Sequence, residues 1–248
     1  MKDQQHARVF GTEAAAYELG RPGYPDDAVE WILSHVDTDE GALPDVIDLG
    51  AGTGKLTASF VGRAASVTAV EPDAAMLDTL AARLPGVIAL EGSAEAVPVG
   101  AASADLVTMA QAWHWVDPAA ASSEVARVLR PGGVLALLWN VRDEDTEWVA
   151  ALSRTIGSSI AEEFDTVRPP LAAPLRRDAY AEFSWVNRLD RDQLVAMVSS
   201  RSYVIALAPG DRATLLASLD ELLDTHPQLA GRESYELPYV TRVTLARV

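Results

Sequence analysis

Cysteine is absent from all 248 residues, which removes disulfides, thiolate metal sites and thiol nucleophiles from any account of this chain. Positive charge is scarce as well. Lys and Arg total 20 against 36 Asp and Glu, a formal charge of −16 at pH 7, with a pI near 4.5. A nucleic-acid duplex or an anionic membrane would be repelled over most of such a surface. The densest cationic clusters, Arg176 with Arg177 and Arg188 with Arg191, are short and broken by acids, unlike a stripe that tracks phosphates. No nucleic-acid partner and no membrane partner is expected. No uninterrupted apolar run approaches the roughly 18 residues of a bilayer span, and the opening stretch Met1 to His6 lacks the apolar segment of a signal peptide. The expectation is a soluble, cytoplasmic protein, its oligomeric state left open. There is also no internal repeat and no low-complexity tract.

What is present is an alternation of strand and helix signals. The length allows one α/β domain with a sizeable core, or such a domain carrying a smaller cap, and the second is favoured. Apolar residues at Ala28, Val29, Ile32, Leu33 and Val36 predict a helix from Asp26 to Val36, capped by Asp26 or Asp27. Strands follow at 45–49, 66–71, 87–91, 105–110 and 133–139, with helices at 55–62, 73–84 and 118–129 between them. That order argues for a parallel sheet with helices on both faces and a ligand at the carboxyl ends of its strands. Beyond Asn140 the rhythm changes. A helix is expected over 144–164, then a proline-rich break from Val167 to Pro174, a strand at 180–187, helices at 190–200 and 211–226, and a last strand around 239–248. These final elements would add an antiparallel pair to the sheet and lay helices across its mouth.

The most informative stretch is Val46-Ile47-Asp48-Leu49-Gly50-Ala51-Gly52-Thr53-Gly54. A β-branched lead-in ending in alternating glycines reads as a buried strand entering a tight turn, where the backbone can approach a ligand that any Cβ would strike. The expected helix beyond Lys55 would present its N-terminus to an anionic group. Glu71, closing the next strand, would lie one strand over, where a ribose diol sits in such folds. A dinucleotide fingerprint would place its third glycine at position 55, and Lys55 stands there instead. A nicotinamide-dependent oxidoreductase is therefore disfavoured.

With Asp48 two residues ahead of Gly50, this stretch resembles motif I of the class I S-adenosylmethionine-dependent methyltransferases, in particular the small-molecule type 11-like subgroup. Four further segments share the resemblance. Val70-Glu71-Pro72-Asp73 runs to Met76, where Glu71 would accept the ribose hydroxyls, Asp73 would cap a helix, and the Met76 thioether would press on adenine or simply fill core. In Glu91-Gly92-Ser93-Ala94-Glu95, Ser93 stands where the family usually carries an adenine-binding Asp, so recognition of the base would lean on the Ala94 backbone. Ala110-Gln111-Ala112-Trp113-His114-Trp115 resembles a segment in which Ala110 and Gln111 touch the cofactor. There His114 is a candidate base, and Trp113 and Trp115 could face a substrate; packing is the alternative for all three. Finally Tyr17, Arg21, Pro22, Tyr24 and Pro25 resemble an N-terminal segment that folds over the methionine end, Arg21 offering a planar fork to a carboxylate. Segments around Arg127 to Gly133, Ser200 to Tyr203 and Leu237 to Thr241 extend the likeness over nearly the whole chain.

The resemblance implies one domain over 1–248: an N-terminal segment 1–36, a cofactor-binding core 37–140, and a cap region with completing strands 141–248. It implies a Rossmann-like, seven-stranded, mostly parallel sheet in the order 3-2-1-4-5-7-6, helices on both faces and a small helical cap. It also implies a site without metal in which S-adenosylmethionine is bound by Tyr17, Arg21, Asp48, Gly50, Ala51, Gly52, Gly54, Glu71, Pro72, Met76, Ser93, Ala94, Glu95, Ala110 and Gln111. The implied activity is methyl transfer to a small metabolic or natural-product acceptor through oxygen, nitrogen or carbon, leaving S-adenosylhomocysteine. The alternative is a homologue that binds the same cofactor but catalyses a rearrangement or cyclisation.

Overall fold

The computed structural model describes residues 19–39, 41–157 and 164–248. Its strands are β1 Asp45–Leu49, β2 Ser66–Glu71, β3 Ile88–Glu91, β4 Ala104–Ala110, β5 Leu129–Arg142, β6 Arg176–Leu189 and β7 Tyr235–Arg247. They form one sheet in the order β3-β2-β1-β4-β5-β7-β6, the order the resemblance implies. Strands β1 to β5 pair in parallel, and β7 runs antiparallel to both β5 and β6. The helices are α1 Asp26–Leu33, α2 Ala74–Arg83, α3 Pro118–Val128, α4 Glu147–Ile156, α5 Arg191–Ser199, α6 Ser202–Ile205 and α7 Pro209–Thr225. None of them is long and apolar enough to cross a membrane.

The strict alternation of side chains along a strand explains why the central strands are apolar almost throughout. Ile47, Leu49, Val107, Leu135 and Leu137 face one core, shared with Ala121, Val125 and Val128 of α3. Val46, Leu106, Val134, Ala136 and Leu138 face another, shared with Ala28, Val29 and Ile32 of α1 and with Phe60. A third cluster joins Trp148 and Leu152 of α4, Leu194 and Met197 of α5, and Leu219 and Leu223 of α7 to Leu189, Tyr235 and Leu237 at the outer strands. That cluster is the packing of the helical cap.

Several expectations are corrected. No α-helix follows the glycine turn; only a 3-10 segment, Thr57–Phe60, is formed. Its Thr57 hydroxyl is turned inward to Asp48, and the backbone is already extended at Val61, so a helix N-terminus is not what faces the ligand. The N-cap position of α1 is Pro25, with no side-chain cap, so neither Asp26 nor Asp27 caps that helix. Of the helix expected over 144–164, Glu147–Ile156 is formed, and 158–163 lie outside the described residues. Strand β5 is twice the expected length: at its start Leu129 pairs with Ala104 of β4, and at its end β7 supplies partners as far as Arg142, whereas pairing with β4 ends at Leu138. Trp139 to Arg142 therefore project past the parallel half of the sheet on the support of β7.

Gly54 ties the glycine turn to α2. Its φ is +84°, and a Cβ there would lie 2.9 Å from Leu80 Cγ. Gly54→Ala is expected to destabilise the fold by about 2–4 kcal/mol through left-handed strain and overpacking, measurable as a lower urea midpoint at unchanged m-value.

Candidate functional site

A cavity of about 1160 Å³ opens along the carboxyl ends of β1 to β5. Ligand pockets commonly enclose roughly 300–1,000 Å³, so there is room for two molecules side by side. One wall is the turn after β1. Asp48 is buried behind it, Oδ2 accepting from the Thr57 hydroxyl at 2.6 Å and Oδ1 from the Thr108 hydroxyl at 2.8 Å. Burial nevertheless raises its pKa to about 6, the two hydroxyls offsetting only part of that cost. Asp48 does not line the cavity; it braces the strand floor beneath the turn.

Glu71 does line it. Its Oε2 accepts from the Gly52 backbone N–H at 2.8 Å and its Oε1 from that of Asp73 at 3.0 Å. One carboxylate thus fixes the glycine turn and the start of α2 while each oxygen keeps a further lone pair. Desolvation raises its pKa to about 7, with the carboxylates of Asp73 and Asp48 pushing the same way against the two backbone bonds. Gly50 and Gly52, at φ +61° and +56°, bring bare backbone to the same wall. A Cβ on Gly50 would reach 3.0 Å from Ala112 Cβ.

The rim beyond Glu71 continues through α2 and the loops after β3 and β4. Asp73 caps α2 by accepting from the N–H groups of Ala75 and Met76, which sets Met76 on the wall beside Pro72. Ser93, Ala94 and Glu95 continue that wall, with Glu95 held by the N–H of Asp117 at 3.2 Å. Ala110 and Gln111 close the end of β4. Gln111 has φ +56°, uncommon for a side-chain-bearing residue and most often retained where function constrains the backbone. Its N–H bonds Leu138 O and its Nε2 bonds Asn140 O. Ala51 and Gly54 are not on the cavity wall.

The remaining walls come from further along the chain. His114 lies against Trp115 and Phe164, ring centroids 4.7 and 5.8 Å away, and its Nδ1 is buried with no hydrogen-bond partner. Burial, reinforced by the positive charge of Arg21, lowers its pKa to about 4, so the ring is neutral at physiological pH and weakly basic. Trp115 lines the cavity, but Trp113 does not: it is a core residue whose Nε1 donates to Pro170 O at 2.8 Å. Packing, the alternative open to it, accounts for Trp113.

Arg21, Pro22 and Tyr24 cross the mouth, while Tyr17 lies outside the described residues. Among the contacts that seat this segment, Arg21 Nη2 donates to Ser200 O at 3.3 Å, and Asn140 Nδ2 donates to Gly23 O at 2.9 Å. Asn140 is itself oriented by the Thr241 hydroxyl, which donates to its Oδ1 at 2.6 Å and accepts from Trp185 Nε1. Asn140, Arg142, Arg201, Tyr203 and Tyr239 also line the cavity. None was a candidate from the motifs, although 200–203 and 237–241 had been marked by resemblance. What brings them here is the overshoot of β5 and the α5–α6 turn, neither of which has a local sequence signature.

Residues 47–137 match the family model described as a methyltransferase domain. An uncharacterized methyltransferase of Mycobacterium tuberculosis (strain H37Rv) is 47% identical over 242 residues, 96% of each chain. The chain belongs to the methyltransferase family. A methyltransferase-like protein of Schizosaccharomyces pombe, also uncharacterized, is 32% identical over 97% of this methyltransferase and 96% of its own length. Among solved structures, a protein of Anaeromyxobacter dehalogenans provisionally called a type II methyltransferase superposes with TM-score 0.66 at 24% identity, covering 91% of this methyltransferase and 96% of that chain. The [4+2]-cyclase SpnF superposes with TM-score 0.51 at 15% identity, covering 92% and 84%. At those identities both structures speak to the fold alone.

Proposed function

We propose that this methyltransferase moves the methyl group of S-adenosylmethionine to a small-molecule acceptor. The observation that carries the proposal is Glu71, a carboxylate on the cavity wall, anchored by two backbone N–H groups and opposite a turn that leaves no Cβ in the way. The residues fit the cofactor. Glu71 would accept the ribose hydroxyls, Gly50 and Gly52 would admit it to the backbone, and Met76, Ser93 and Ala94 would flank adenine. Gln111 and Arg21 stand at the methionine end. Asp48 acts through the turn it braces, as do Ala51 and Gly54. S-adenosylmethionine supplies a methyl carbon activated by its positively charged sulfur. The chain's contribution is then to orient the acceptor and exclude water, and orientation alone can contribute roughly 7–11 kcal/mol to a well-aligned transfer. An acceptor enclosed in a cavity of a chain with net charge −16 is a small molecule rather than a nucleic acid.

Calorimetric titration with S-adenosylhomocysteine tests the reading: saturable one-to-one binding supports it, and no heat up to millimolar ligand overturns it. The rearrangement alternative draws on a cyclase that shares only the fold, whereas the relatives of 47% and 32% identity are named methyltransferases. Turnover of an acceptor without accumulation of S-adenosylhomocysteine would reverse that preference.

The seating of the N-terminal segment gives a separate prediction. A Cβ on Gly20 would fall 2.1 Å from Met197 N, a backbone atom of α5, so Gly20→Ala must push the segment off α5. Affinity for S-adenosylhomocysteine should drop about tenfold, near the lower end of what one lost hydrogen bond to a charged group costs, and Glu-C protease should cut faster after Glu18. Wild-type rates of cutting would show that the segment is not held by this contact.

A further inference from the structure

Both arginines that are buried among the described residues, Arg142 at 8% and Arg201 at 7% exposure, line the cavity. In a chain with 36 acids this is a notable use of cationic side chains, because a guanidinium removed from water carries a large desolvation cost that needs negative charge or hydrogen bonding nearby to offset it. The two converge on one corner. Arg142 projects from the overshoot of β5, its Nε donating to the Ser153 hydroxyl of α4 at 3.1 Å. One turn further along α4, Ile156 O accepts from the Tyr203 hydroxyl at 2.7 Å, and the guanidinium of Arg201 lies 5.7 Å from the centroid of that same tyrosine ring. Arg21 is tied to the same corner by its hydrogen bond to the carbonyl of Ser200, the residue before Arg201. A fourth arginine on the wall, Arg242, bonds Glu182 and Thr166. The apolar lining beside the corner is Met197, Leu207 and Tyr239.

We infer that the acceptor is an organic acid with an apolar or aromatic body, its carboxylate received by Arg21, Arg142 and Arg201 and its oxygen methylated to give a methyl ester. This rests on the methyl-transfer reading above. The balance is simple. A carboxylate oxygen uses a lone pair to form the O–CH3 bond, the C–S bond breaks with its electron pair going to sulfur, and an anion and a sulfonium become a neutral ester and a neutral thioether. No proton moves, so no base is required. His114, neutral and weakly basic in its buried setting, accords with a nucleophile that arrives already ionised, and the planar fork of arginine is the donor geometry that matches a carboxylate.

The test uses the intact protein with octanoate, 4-phenylbutyrate and adipate, each beside its primary amide, and follows binding through the fluorescence of the cavity tryptophans with and without S-adenosylhomocysteine. Acids are expected to bind at least tenfold more tightly than their amides. Arg201→Gln should abolish that preference, and Arg201→Lys should restore part of it. In both variants affinity for S-adenosylhomocysteine and the circular dichroism spectrum should stay near wild type. Because Arg142→Gln removes a buried group that could be needed for folding, Arg201 carries the decision. Mass spectrometry of reactions with S-adenosylmethionine should then find the methyl ester of the acid that binds best. Equal binding of acids and amides, binding of neither, or a preference that survives Arg201→Gln would overturn the inference. Failure of the methyl-transfer reading is distinguishable: S-adenosylhomocysteine would not bind, while the preference for acids over amides would persist without it.

Discussion

Glu71→Ala is expected to weaken S-adenosylhomocysteine binding by at least about 100-fold, because hydrogen bonds to a charged group contribute about 1.5–3 kcal/mol each and two ribose hydroxyls are lost together. The loss should exceed that of direct contacts, since the same carboxylate holds the N–H groups of Gly52 and Asp73 and its removal frees both the turn and the first residue of α2. Glu71→Gln should be intermediate: it keeps one acceptor oxygen but turns an amide N–H toward a backbone N–H. The pH dependence separates charge from shape. With the pKa of Glu71 raised to about 7 by desolvation, the ligand-free protein carries a partly protonated Glu71 at neutrality. Affinity should therefore climb as pH rises from 6 to 8 in the wild type and stay flat across that window in Glu71→Gln. A wild-type affinity independent of pH between 6 and 8 would refute the assignment of this carboxylate to the ligand. Stability of the ligand-free protein runs the other way. A raised folded-state pKa contributes stability below the unfolded value of 4.5, and that contribution fades as pH rises through about 7.

The second large effect is on folding. Asp48→Ala leaves the hydroxyls of Thr57 and Thr108 without their carboxylate partner, and both threonines are fully buried. Each stranded polar group costs about 1–3 kcal/mol, so a loss of about 2–5 kcal/mol is expected in urea denaturation. Asp48→Asn should cost far less, because a hydroxyl can turn round and accept from the amide. Here too burial sets the sign with pH. The raised pKa of about 6 means the ionised form is disfavoured in the fold, and the stabilising contribution present below pH 3.8 is lost as pH rises through 6. Wild type should therefore lose ground to Asp48→Asn between pH 4 and pH 7.5. An Asn variant that falls further behind over that range would show that the carboxylate is better solvated than its burial implies.

What could be read from the sequence follows from where the determining physics is local. Strands β1 and β2 keep the bounds that their β-branched residues and adjoining turns suggest, and Asp73 caps α2 as its position suggests, because both depend on neighbours within a few residues. The glycine turn announced itself for the same reason. The helix expected after Lys55 failed because a distant demand won: Thr57 serves the buried carboxylate of Asp48 from within a short 3-10 turn. Trp113 and Trp115 are two residues apart and chemically alike, yet one is committed to Pro170 and the other faces the cavity, a distinction made by residues more than 50 positions away. Arg142, Arg201 and Tyr203 were invisible as a group for a stronger reason. They meet only because β7, nearly 100 residues downstream, lengthens β5 past the parallel sheet.

That overshoot divides responsibility within the molecule. In the proposed reading, grip on the nucleoside would come from parallel strands covered on both faces, while the walls that would choose a guest hang from an antiparallel ladder whose side chains alternate with a period of two. Sliding β7 by a single position would swap Arg242 with Thr241 between the faces and break the chain of contacts through Asn140 to the N-terminal segment, whereas a slip of two would renew each facing with a different neighbour. Selectivity in this scaffold can thus be retuned in steps of two residues at its far edge while Glu71 and the glycine turn stay where they are.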